Sequence, residues 1–198
     1  MNDVFPISSF WPVAIGFFGL GTNYFVQGGT ALFNGPNWSQ DSRQLDKTVA
    51  LWGIFFGGFM QFITGTYIMV GLSWFPVYRN ATPLYMAALA FTSYGVHWII
   101  LGWRRYVGAE SGPEAWMAIG MLVLSALGVI SFWNNGDIPV AILFIGLVLV
   151  YISEIVARAS GIHGHKTVGF FMFITGIWLM YLTIGVTLNF ANKMHFWV

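Results

Sequence analysis

Long apolar stretches alternate along the chain with short clusters of polar, Gly and Pro residues. A hydrocarbon core of about 30 Å needs about 20 mostly apolar residues in a helix. Six stretches meet that requirement: Phe10 to Phe33, Thr48 to Leu72, Pro83 to Trp103, Ala115 to Trp133, Ile138 to Ala157 and Val168 to Asn189. The runs lack the period-two alternation of a transmembrane barrel strand, and a helix satisfies its own backbone hydrogen bonds in lipid. The pattern predicts an all-α membrane protein of six transmembrane helices. No connector is long enough to separate two domains, so residues 1–198 are expected to form one bundle.

The polar clusters are the connectors. Asn34 to Lys47 is the longest, Trp74 to Thr82 carries Pro76 and Arg79, and Arg104 to Glu114 holds two arginines and two glutamates. Asn134-Asn135-Gly136-Asp137 reads as a tight turn, and Arg158 to Thr167 contains His163, His165 and Lys166. Composition supports the same class. The chain is 57% hydrophobic and 8% charged, whereas soluble domains carry roughly 25% charged residues. A net charge of +1 without a basic cluster argues against a nucleic-acid partner. The lack of cysteine removes disulfides, thiolate metal sites and thiol nucleophiles. Ten Trp and eight Tyr suit a bilayer protein, where such rings collect at headgroup level. The first apolar run has no basic residue before it and no small-residue cleavage site after it, so it is expected to be a retained helix, not a secretory signal.

Charge placement bears on orientation. In a six-span arrangement Arg43, Lys47, Arg104, Arg105, Arg158 and Lys166 fall on one side, with only Arg79 and Lys193 on the other. The positive-inside rule then puts the first, third and fifth connectors in the cytoplasm and both termini outside.

No Ser/His/Asp set, carboxylate pair or phosphate-binding loop can be placed, so the chain does not read as an enzyme. Neither a metal nor another cofactor is called for. The polar residues within spans are mainly hydroxyl and amide side chains: Thr22, Asn23 and Gln27, then Gln61, Thr64 and Thr66, then Thr92, Ser93, Tyr94 and His97. The later spans add Tyr151, Ser153, Glu154, Thr175, Tyr181, Thr183 and Thr187. Uncharged donors and acceptors in apolar walls suit a pore that replaces part of a small solute's hydration. The plainer reading is that Ser and Thr bond their own helix backbone and that Asn or Gln join helices. Gln61, Thr22, Asn23 and His97 are the pore-lining candidates. His97 is a candidate proton carrier, or else a neutral ring bonded to a neighbouring helix. Glu154 and Arg158, four apart, read as an ion pair at a helix end. Gly53 and Gly57 form a GxxxG that lets another helix approach closely. His163 and His165 read as a solvated loop, not metal ligands, and the sequons at Asn37 and Asn80 as chance matches.

Certain strings are more specific. The second span contains Gly53-Ile54-Phe55-Phe56-Gly57-Gly58-Phe59-Met60-Gln61, and the third contains Ala90-Phe91-Thr92-Ser93-Tyr94-Gly95. The sixth reads Gly169-Phe170-Phe171-Met172-Phe173-Ile174-Thr175-Gly176, then Leu179-Met180-Tyr181. Together, from Pro12 to Asn189, these resemble the acetate/succinate transporter family, the small-monocarboxylate permeases of bacteria, archaea and fungi. The resemblance implies a six-helix subunit with its own central pore, assembled as a homo-hexamer in the inner membrane of a prokaryote. It also implies a pore constriction of Phe, Tyr and Leu, which fall at Phe18, Tyr94 and Leu147, with Leu149 the alternative placement of the Leu. The family's Asn-Pro-Ala-Pro entrance motif corresponds to Ser9-Phe10-Trp11-Pro12, which leaves Pro12 as the solute-entrance candidate. This chain departs from the family at Phe56, where a Tyr is usual, and in longer first and second connectors. Its charge bias runs against the cytoplasmic termini generally assigned to the family.

The expected function is passage of acetate or a similar small monocarboxylate, with a proton, through a narrow aromatic-aliphatic constriction. A channel for a small neutral solute such as urea, a short amide or ammonia uses the same uncharged lining. A non-transporting subunit of a larger membrane complex is a third reading.

Overall fold

Each apolar run forms a helix. The computed structural model describes residues 12–33, 41–74, 83–160 and 165–198, without the side chains of Ser160 and His165. The helices are α1 (Val13–Phe33), α2 (Ser42–Trp74), α3 (Pro83–Val107), α4 (Glu114–Asn134), α5 (Ile138–Ser160) and α6 (His165–Asn192). Helices α2 to α6 are long and apolar enough to cross a membrane. Helix α1 is 21 residues long but carries Thr22, Asn23, Gln27, Thr30 and several glycines, which dilute its apolar character.

Several helices overrun the apolar runs that mark them. Helix α2 starts at Ser42 because the Asp41 carboxylate accepts from the backbone N–H groups of Arg43 and Gln44, at 2.9 and 3.3 Å. Such a cap satisfies donors that a helix start leaves unpaired. Helix α3 carries Arg104 and Arg105 in its last turn and ends at Gly108, whose φ of 77° is favourable for glycine. The α4–α5 turn uses Gly136 at φ 78°, and Asp137 caps α5 through the Val140 N–H at 3.2 Å. After α6 the chain folds back on it, the Asn189 side chain gripping the Phe196 backbone at 2.7 and 2.9 Å.

Consecutive helices pack against one another and α6 returns to α1, so the six close a ring. Glycines set the closest seams. A Cβ at Gly28 of α1 would lie 2.6 Å from the Gly169 carbonyl oxygen of α6, and one at Gly95 of α3 would lie 2.5 Å from the Phe62 nitrogen of α2. Small residues let helices in lipid approach and gain packing that the hydrophobic effect does not supply there. Within α2, Gly53–Phe59 is a π-helical stretch. A Cβ on Gly57 would lie 2.6 Å from the Asn23 side-chain nitrogen and 3.0 Å from the Trp98 ring. The Gly53/Gly57 pair thus receives side chains of α1 and α3 inside the subunit.

The outer surface is apolar. On α4, Trp116, Ile119, Val123, Leu127, Ile130 and Trp133 are all exposed at three- and four-residue spacing. A helix stripe of that kind suits contact with lipid. The inward faces hold a core including Tyr24, Ile68, Phe91, Phe132, Phe144 and Leu179.

Candidate functional site

A cavity of about 880 Å³ opens among residues from one end of the ring, including Gln27, Asp46, Arg104, Arg105, Glu114 and Arg158. Its walls come from the C-terminal halves of α1, α3 and α5 and the N-terminal parts of α2, α4 and α6. This places alternate helices in opposite directions. The volume lies within the range of small-molecule sites.

Charged groups frame this vestibule. Arg105 reaches Asp46, at 2.9 Å from its Nε, and also the Gln27 side-chain oxygen. Glu114 is bound by both Arg104 and Arg158. Arg158 also donates to Glu154 at 3.1 and 3.3 Å and to the Ser111 carbonyl at 3.3 Å. The expected Glu154–Arg158 pair is thus one edge of a network joining α3, α4 and α5. Three arginines meet three carboxylates, so the mouth carries strong local fields with formal charge balanced.

Deeper in, the vestibule walls include Tyr24, His97, Trp98 and Tyr151. The Tyr24 ring meets Trp98 edge-on at 5.9 Å, and Tyr151 stacks on Tyr94 with centroids 6.1 Å apart and planes 7° apart. His97 packs against both Trp98 and Tyr151. The Glu154 carboxylate lies on the same wall. Yet the buried hydroxyls of Tyr24 and Tyr151 make no hydrogen bond among the described residues.

A second, separate cavity of about 20 Å³ lies on the other side of Tyr94, little more than room for one water. All six helices contribute to this narrow section, with Phe17, Gln61, Tyr94, Phe132, Leu147 and Leu179 one from each. The Tyr94 hydroxyl lies 2.7 Å from the Ser125 oxygen. Ser125 lies 2.7 Å from the Met121 carbonyl oxygen, to which it donates. A hydroxyl has one proton, so Tyr94 must be the donor to Ser125. Its oxygen keeps only acceptor capacity for anything else. The Gln61 side-chain oxygen, also an acceptor, is buried without a partner among the described residues.

The structure sorts the residues expected from sequence. Tyr94 and Leu147 both line the narrow section and are 2% exposed, and Leu149 is 40% exposed on the outer surface. Phe18 is not brought there: it is 42% exposed, its ring against Phe56 at 6.2 Å, and Phe17 lines the cavity instead. Adjacent helical residues point about 100° apart, and burial has chosen the first of the pair. Gln61 lines the narrow section and His97 the vestibule. Asn23 lines neither; it sits at the α1–α2–α3 seam and accepts from Gln27 at 3.3 Å. Thr22 is half-buried away from both cavities. Pro12 is buried just before α1 and lines neither cavity. Ser9 to Trp11, Asn37, Arg79, Asn80 and His163 lie outside the described residues, as does the His165 side chain.

Thr64, Thr66 and Thr183 donate to carbonyls four residues back in their own helices, each at 2.8 Å. These are the plain backbone-bonding threonines. Sequence reasoning missed Tyr24 as a site residue and named Tyr151 only as one polar residue among many. The available signal was a phenol inside an apolar span, which needs a partner when buried.

No protein-family description matches this sequence, and no curated protein matches it. Among solved structures it is similar to the bacterial acetate channel SatP, with 18% identity, a TM-score of 0.67, and coverage of 92% of this chain and 94% of that one. The resemblance to the acetate/succinate transporters therefore holds at the level of the fold: this chain has the fold of that acetate channel.

Proposed function

We propose that the chain is a membrane channel or transporter for acetate or a similar small monocarboxylate, crossing the membrane six times and working as a homo-oligomer, a hexamer by family resemblance. The observation that carries this reading is the order of two cavities along the helix bundle, a wide polar one and a narrow one lined by all six helices. Tyr151 on the wall of the first stacks on Tyr94 on the wall of the second. The shared fold with an acetate channel supplies the solute class.

In this reading Phe17, Tyr94 and Leu147 form the constriction, with Phe17 taking the place that the family resemblance gives to Phe18. The section contains no positive group to hold a carboxylate, and the Tyr94 proton is already given to Ser125. The solute therefore crosses as the neutral acid, whose O–H can donate to the Tyr94 or Gln61 oxygen. An anion would find only the Gln61 amide N–H groups as donors among apolar walls, and would lose most of its hydration without replacement.

Labelled acetate uptake into proteoliposomes, with and without an inward proton gradient, tests this. Uptake above protein-free vesicles, increased by the gradient, is the expected result. A second reading has its own support, because the Tyr94 and Gln61 acceptors serve the N–H donors of urea or a short amide equally well. Urea flux exceeding acetate flux in the same vesicles would favour it.

A further inference from the structure

We propose that the inner end of the vestibule is a carboxyl-docking subsite built from the hydroxyls of Tyr24 and Tyr151, with His97 beside them. This rests on the acid-conducting reading above and adds to it the place where the solute waits before the narrow section. Tyr24 is 0% and Tyr151 1% exposed, and neither hydroxyl has a hydrogen-bond partner among the described residues. Both residues nevertheless form part of the wall of the 880 Å³ cavity.

If these rings served only as packing, phenylalanine would fill the same space against Trp98 and Tyr94 without stranding a polar atom. A buried donor left unpaired is costly, and two together point to an occupant that brings acceptors. The carbonyl oxygen of a carboxylic acid has two lone pairs, which can accept from two phenol donors. The contrast with Tyr94 is direct, since its donor is satisfied by Ser125. In the closed arrangement the two hydroxyls are sealed from water. Docking therefore requires a ring to turn toward the cavity, and the new hydrogen bonds favour that turn. His97 packs on Tyr151 at 6.0 Å and borders the same space.

The test uses the full-length protein with Tyr24→Phe, Tyr151→Phe and the double variant. Loss of two neutral hydrogen bonds should raise the acetate concentration for half-maximal uptake on the order of tenfold, leaving the maximal rate within about twofold. Without solute, each variant should melt at or above the wild-type temperature, because only an unpaired hydroxyl is removed. Added acetate should raise the melting temperature of the wild type, and not that of the double variant. Acetate flux with unchanged half-saturation in the double variant overturns the subsite while leaving conduction standing. Acetate-dependent stabilisation that the double variant loses, in a protein showing no flux, upholds the subsite as a binding site and overturns conduction. A variant that melts well below wild type shows hydroxyls bonded within the protein or by fixed water, and overturns the proposal.

Discussion

The two cavities are built on opposite principles. The vestibule is wide and framed by ions, with Glu114 held by two arginines and Asp46 by a third. The narrow section is mainly apolar, with Phe17, Phe132, Phe144, Leu147 and Leu179 around two polar residues, Gln61 and Tyr94. One end is held by charge pairs joining helix ends; the other is held by packing and close helix approach. The difference teaches where specificity can reside. Balanced charges around a wide cavity discriminate little among polar solutes, whereas a narrow, mainly apolar section can discriminate by size and by hydrogen-bond donors.

Substitutions can break this contrast, and the largest effect is expected at the charged end. Glu114→Ala leaves Arg104 and Arg158 facing each other near α5, and should cost about 3 kcal/mol, the lower end for breaking a buried pair because both arginines retain some water. A fall in melting temperature in detergent measures it, and a neutral outcome would mean that the clasp contributes only surface charge. At the packed end, Gly95→Ala puts a Cβ against the Phe62 backbone, where no side chain can swing aside. The α2–α3 seam must open, at about 2 kcal/mol. Acid selectivity should loosen as well, since Tyr94 is the preceding residue.

Paired substitutions at the first helix sharpen the comparison. Phe17→Ala should raise lactate flux relative to acetate on the order of tenfold, a size effect comparable to a missing methylene or two in a pocket. Phe18→Ala should leave that ratio unchanged, and the reverse pattern would return Phe18 to the constriction. Smaller still is Tyr94→Phe. It removes one neutral hydrogen bond to Ser125, about 1 kcal/mol of stability, with the ring stack on Tyr151 retained. Preference for acids over esters of the same size should drop only modestly, because the Gln61 acceptor remains.

Much of the architecture was legible along the chain because lipid imposes a simple rule of length and apolarity. The helices fall where the apolar runs do, and Gly136 and Asp137 terminate and restart them as turn residues should. The site was legible in part. Tyr94, Leu147, Gln61 and His97 all face a cavity, but an apolar span with little amphipathic contrast gives few clues to its inward face. Phe17 and Phe18 illustrate this: they are identical in chemistry and adjacent, so neither periodicity nor composition separates them. Asn23 shows the converse, a polar residue that turned out to fill a glycine groove between helices.

The sequence by itself determined that the chain forms a bundle of apolar helices and where the apolar part of each lies. These follow from local composition, because each helix satisfies its own backbone and needs only an apolar coat to lie in lipid. The tertiary structure alone decided how each helix is rotated about its axis. Rotation is set by contacts between residues distant in sequence, such as Gly28 against Gly169, Gly95 against Phe62 and Tyr94 against Ser125. Those contacts put Phe17 inward and Phe18 outward, committed the Tyr94 proton to Ser125, and left the Tyr24 and Tyr151 hydroxyls unpaired beside the vestibule.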